Sequence, residues 1–136
     1  MLNLKARKKM KKKNVFICIS ESQRNPERYE RYNMCEQYAK ETNLNVKEVF
    51  KFQYDDFEQS KNNLLRALET SPDVNTIIIS DCTRISRSIT RMLDFLISLS
   101  RKDIAVYDVN QKKYITYRDV LLNSARKNMR QNEGKC

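Results

Sequence analysis

The chain has 136 residues, enough for one hydrophobic core and too few for two domains of ordinary size. Its 40% hydrophobic and 32% charged residues indicate an ordinary globular chain, and its net charge of +10 points toward a polyanionic partner. With no histidine and one glycine, it cannot build Ser-His or Cys-His nucleophile pairs, nor the glycine-rich loops of the P-loop and dinucleotide fingerprints.

In chain order, residues 1–13 form a basic segment with Lys5, Arg7, Lys8, Lys9, Lys11, Lys12 and Lys13. A like-charge block of this kind is expected to be a solvated arm, serving either solubility or contact with phosphates. Asn14 to Ser20 (NVFICIS) is a short apolar, β-branched run that predicts a buried strand. Asn25-Pro26-Glu27 then offers an N-cap, a proline suited to the first helical position and an acid beside the positive helix end. A helix to about Thr42 is expected, with Tyr32, Cys35 and Ala39 on one face.

Val46 to Phe52 alternates apolar and charged residues and predicts a second strand, followed by a polar loop from Gln53 to Ser60. Lys61 to Thr70 carries Leu64, Leu65 and Leu68 at helical spacing, and Ser71-Pro72-Asp73 stops it. Thr76 to Ser80 (TIIIS) is the clearest strand. From about Arg87 to Arg101, Ile89, Met92, Leu93, Leu96 and Leu99 recur one helical turn apart and predict a strongly amphipathic helix. Ile104 to Val109 is a fourth strand, and a basic helix over about Tyr117 to Gln131 closes the chain. Alternating strands and helices imply an α/β fold, a mostly parallel sheet of four or more strands with helices on both faces. The expected organisation is a basic arm at 1–13, an α/β domain at 14–116 and a C-terminal basic helix and tail at 117–136.

The four cysteines Cys18, Cys35, Cys82 and Cys136 form no CxxC pair, so neither a metal nor a cofactor is expected, and Cys18 and Cys35 read as small buried hydrophobes. No apolar run reaches the ~18 residues of a membrane span, and no signal-peptide core follows the basic N-terminus. A cytoplasmic location without a membrane partner is expected.

In an open parallel sheet the functional crevice lies beyond the carboxyl ends of the strands. The first strand delivers Ser20 there, and the third delivers Ser80 to Arg87 (SDCTRISR). Arg84 and Arg87, three apart at the start of the amphipathic helix, suit a phosphate. A serine nucleophile without histidine fits transfer to phosphorus assisted by guanidinium groups. A loop serine beside two solvated arginines has the same spacing, so the residues alone leave both readings open.

The stretch Phe16 to Gln23 (FICISESQ) resembles the opening signature of the serine recombinases, the resolvase/invertase family. Thr83 to Leu99 (TRISRSITRMLDFLISL) is similar to that family's DRLSR segment and the helix after it. Tyr38-Ala39-Lys40-Glu41 and the Val49-Phe50 strand match the intervening pattern. The resemblance spans about residues 14 to 109 and implies a resolvase-like catalytic domain. Ser20 then stands at the nucleophile that joins DNA through a 5′-phosphoserine, and Arg84 and Arg87 at the active-site arginines. It also implies DNA as partner and a homo-oligomer, dimer or tetramer, or pairing with a related recombinase.

The departures are equally specific. Cys18 stands where the family has an arginine, Thr83 where it has an aspartate, and Lys61 where it has an arginine after a Ser-Gly hinge. No separate DNA-reading domain is expected after Thr116. Contact with nucleic acid is therefore expected through Lys61 and, on the last helix, Arg126, Lys127 and Arg130. Three functions follow: a serine-recombinase-like protein with weakened or lost catalysis, a non-catalytic module that pairs with a full-length recombinase through a helix such as Ser88 to Ser100, or a nonspecific nucleic-acid-binding domain.

Overall fold

The computed structural model describes residues 13–21, 28–53, 56–86, 88–123 and 125. Nine residues, Lys13–Glu21, form β1, the central buried run expected from the sequence. Helix α1 (Arg28–Glu41), β2 (Leu44–Gln53), α2 (Phe57–Glu69) and β3 (Val74–Ile79) follow, then the single-turn α3 (Cys82–Ile85), α4 (Ile89–Arg101), β4 (Ala105–Asp108) and β5 (Lys113–Ile115). A further helical segment covers 117–123.

The sheet order is β2-β1-β3-β4-β5, with the first four strands parallel and β5 antiparallel to β4. Period-two alternation divides β1 between two cores. Phe16 and Cys18 join Ile77, Ile79 and Val106 beneath Leu64 and Leu68 of α2 and Met92, Phe95, Leu96 and Leu99 of α4. Val15, Ile17 and Ile19 join Ile78 beneath Cys35 and Ala39 of α1 on the other side. The expected α/β architecture with helices on both faces is therefore the one observed.

Several boundaries differ from expectation, each for a local reason. The segment Gln53 to Ser60, expected as a loop, contains the end of β2 and the first turn of α2. Ser60 makes the difference: its hydroxyl donates to the Asp56 carbonyl at 3.0 Å and accepts from the Gln53 N–H at 3.1 Å, tying strand end to helix start. Phe57 adds an anchor by packing edge-on against Phe52 and Phe95. Strand β5 was not expected, because two of its three side chains are exposed and only Ile115 is buried.

Having a single glycine, the chain places Asn43, Asp103 and Lys112 at positive φ, 57°, 58° and 57°. Asn43 and Asp103 directly follow the turns that end α1 and α4, where left-handed backbone closes a helix. Of the expected basic arm, Lys13 opens β1 and the remainder lies outside the described residues, as do Asn25-Pro26-Glu27 and the tail from residue 126 onward.

Candidate active site

Strand β1 sits between β2 and β3, so the chain leaves it toward one side of the sheet and later returns on the other. A crevice at the carboxyl ends of β1 and β3 is the consequence of that order. Cys18 pairs with Ile79 across the two strands, which brings Ser20 and the Ser80-Asp81 segment to the same edge. Ser20 is half-buried there, and α3, which begins at Cys82, packs against β1.

Arg84 lies within α3, next to the strand that carries Ser20. Arg87 lies outside the described residues. The amphipathic helix begins at Ile89 rather than at about residue 87, and Arg84 stands on a separate short helix before it. The chain breaks after Ile85, and the Ser88 side chain caps α4 by accepting from the Arg91 N–H at 3.3 Å.

The short α3 is held from below by Asp108, which is fully buried at the end of β4. Its Oδ2 accepts from the Cys82 N–H at 3.0 Å and from Gln111 Nε2 at 3.1 Å, and its Oδ1 accepts from the Gln111 N–H at 2.9 Å. The Val109 and Asn110 N–H groups donate to the carbonyls of Ile79 and Ser80, both at 3.0 Å, so the ends of β3 and β4 form one rigid floor. Asp81, Cys82 and Asp108 come close enough to be considered as metal ligands. Asp108 already accepts three N–H donors, and burial, with Asp108 and Asp81, pushes the Cys82 thiol up to about 11.

One residue that the sequence reading passed over reaches the site. Arg31 Nη1 in the first turn of α1 donates to Ser20 Oγ at 3.4 Å, and Arg31 is only 8% exposed. The available signal was positional: Arg31, Cys35 and Ala39 are four apart and all buried, so an arginine continues an inward-facing stripe.

Cys18, at the place where the resemblance expects an arginine, is fully buried in the core, and burial raises its thiol pKa well above the ordinary value, with Cys35 adding to it. Lys61 is also buried. Its ammonium bonds Asp94 on α4 and lies 3.2 Å from Glu58. Burial, the largest single influence, pulls the ammonium down, and the bonds to Asp94 and Glu58 more than reverse this, leaving it raised. Its charge is thus engaged by carboxylates within the protein. Helix α4, on the segment expected as a partner surface, packs Met92, Phe95, Leu96 and Leu99 into the core and exposes Ile89 at its start. Arg126, Lys127 and Arg130 lie outside the described residues. No helix among the described residues is long and apolar enough to cross a membrane.

No family model matches the sequence, and the comparison with curated proteins likewise returns no match. Solved structures do match. The N-terminal catalytic domain of TP901-1 integrase superposes with a TM-score of 0.68 at 16% identity, over 88% of this chain and 98% of that one. A resolvase family site-specific recombinase from Streptococcus pneumoniae superposes with a TM-score of 0.67 at 11% identity, over 91% of this chain and 95% of that one. The chain thus has the fold of serine recombinase catalytic domains, as the resemblance in the sequence implied.

Proposed function

We propose that the chain is a serine-recombinase-like protein acting on DNA, with Ser20 as the nucleophile toward a phosphodiester and Arg84 and Arg87 as phosphate ligands. The observation that carries this reading is the convergence of Ser20 and α3 at one carboxyl edge of the sheet, in a fold shared with an integrase catalytic domain and a site-specific recombinase.

The chemistry is a transesterification. Ser20 Oγ attacks phosphorus, the Oγ–P bond forms and the P–O3′ bond breaks. The hydroxyl proton leaves to water and the departing 3′ oxygen takes one up in its place, leaving a 5′-phosphoserine and a free 3′-hydroxyl. One phosphodiester replaces another, so no nucleotide need be consumed. Guanidinium groups stabilise the charge that grows on the non-bridging oxygens.

Catalysis is weakened relative to the pattern the chain resembles. Cys18 supplies no cation, and Lys61 is engaged by Asp94 and Glu58. Removing one preorganised donor typically costs about 3 kcal/mol, a hundredfold or more in rate.

The test is a nicked suicide duplex that traps the covalent intermediate. The expected result is a slowly formed protein–DNA adduct, stable in detergent and abolished in Ser20→Ala. Absence of any adduct after prolonged incubation at saturating DNA overturns the catalytic reading.

A further inference from the structure

The strand position two residues before Ser20 holds a buried thiol rather than a cation, while a guanidinium from another element touches the hydroxyl. We propose that Arg31 supplies the missing cation from helix α1, and that its guanidinium holds Ser20 Oγ and the attacked phosphate of a nucleic-acid phosphodiester together. The assignment rests on Ser20 being the nucleophile.

Placement is the first argument. Cys35 and Ala39 pack against Val15, Ile17 and Ile19, and one turn earlier along the same stripe the apolar strand has run out. An inward-facing residue at position 31 therefore meets the carboxyl edge of the sheet rather than its apolar face, and at that edge stands Ser20. Alternation along β1 puts Ser20 on the side of Phe16 and Cys18, away from α1. Arg31 has the reach to cross the edge, as its 3.4 Å contact with Ser20 Oγ demonstrates.

Chemistry is the second argument. A guanidinium carries five N–H donors in a planar fork, so one face can serve the hydroxyl and a phosphate oxygen together. Donation to Oγ occupies a lone pair and turns the O–H away from Arg31, so the proton can leave to water while the departing 3′ oxygen takes one up in its place. As the Oγ–P bond forms, Oγ loses acceptor strength and the non-bridging oxygens gain it, and the same donors follow the charge. Burial of Arg31 strengthens the effect, because a charge 8% exposed is little screened by water. A lysine would keep the charge and lose the fork.

The experiment places a reporter at the nucleophile. In Ser20→Cys, the pH at which residue 20 reacts half-maximally with iodoacetamide is read by peptide mass spectrometry, which separates it from the native cysteines. An adjacent guanidinium favours the thiolate, so the midpoint is expected below the ordinary ~8.5. Adding Arg31→Ala should raise it by about one pH unit or more, a tenfold loss of thiolate at neutral pH. Guanidinium ion at non-denaturing millimolar concentration should bring it back down in Arg31→Ala, a rescue that repair of a fold defect would not produce.

On the suicide duplex, Arg31→Gln should slow adduct formation a hundredfold or more and Arg31→Lys should recover part of it. An unchanged thiol midpoint in Arg31→Ala, a raised midpoint that guanidinium does not lower, or wild-type adduct rates in Arg31→Gln would each overturn the assignment. A shifted and rescued midpoint with no adduct in the unmodified chain would leave Arg31 as the ligand of residue 20 and overturn only the nucleophile reading.

Discussion

Replacing Asp108 by asparagine would test the tie beneath the site. Asp108 is fully buried, and both of its oxygens accept backbone N–H groups: Oδ2 from Cys82 and Oδ1 from Gln111. Asparagine has nearly the same shape but only one acceptor oxygen, so its amide must face one of those donors. One buried N–H left without an acceptor costs about 1–3 kcal/mol. Alanine strands both the buried Cys82 N–H and the part-buried Gln111 N–H, a larger loss than asparagine's set against the ~5–15 kcal/mol by which a domain is stable. Urea denaturation should therefore order the proteins as unmodified, Asp108→Asn and Asp108→Ala, with the midpoint falling and the slope unchanged. Amide hydrogen exchange should localise the damage, accelerating at Cys82 and Gln111 before the strands. If both variants lie within about 0.5 kcal/mol of the unmodified protein, or if exchange at Cys82 is unaffected, the carboxylate does not hold α3 and the argument fails.

The remaining expectations concern Lys61 and the buried thiols. Lys61→Met should lower stability by about 1 kcal/mol or less, because its partners Asp94 and Glu58 are 55% and 63% exposed and regain water. It should also leave the salt dependence of DNA binding unchanged. A fall of about 0.9 in the log–log slope would instead mark Lys61 as a phosphate contact. Burial raises the pKa of Cys18 well above its ordinary value, and that of Cys35 from 9.0 to about 12, with Asp108 adding to the latter. A folded-state pKa above the unfolded one contributes stability that is intact below pH 9 and lost as pH rises from there toward the folded value. Between pH 9 and 11 these two thiols should together remove about 3 kcal/mol per pH unit at most. A Cys18→Ala, Cys35→Ala double variant should be correspondingly less sensitive, and equal pH slopes in the two proteins would contradict the burial argument.

Legibility in the sequence followed the strength of hydrophobic pattern. The runs at Val15–Ile19 and Ile77–Ile79, and the spacing of Met92, Phe95, Leu96 and Leu99, announce strands and a helix because nothing competes with their burial. Where a polar side chain is buried for a tertiary reason, pattern misleads. Ser60 reads as loop until it is seen bonded to Gln53 and Asp56. Lys61 reads as a solvent-facing cation, yet Asp94, thirty-three residues along the chain, draws it inward. Arg31 is the sharpest case: periodicity treats arginine as a surface marker, so a guanidinium continuing the stripe of Cys35 and Ala39 is visible only once the edge of β1 is in place. Ser20 and the Arg84 segment were legible because strand ends in a parallel sheet share one rim. The break between α3 and α4 was not, since Ser86-Arg87-Ser88 has no proline or glycine to mark it.

The strand order also bears on when this rim comes into being. During synthesis β1, α1 and β2 emerge first and can pair as a right-handed unit, bringing Arg31 to Ser20 across only eleven residues of chain. The opposite wall waits for β3, and the Asp108 latch under it for β4. A ribosome-bound fragment ending before β3 would hold a hydroxyl and one guanidinium but no second wall, so the two-walled rim is complete only when nearly the whole sheet has been laid down.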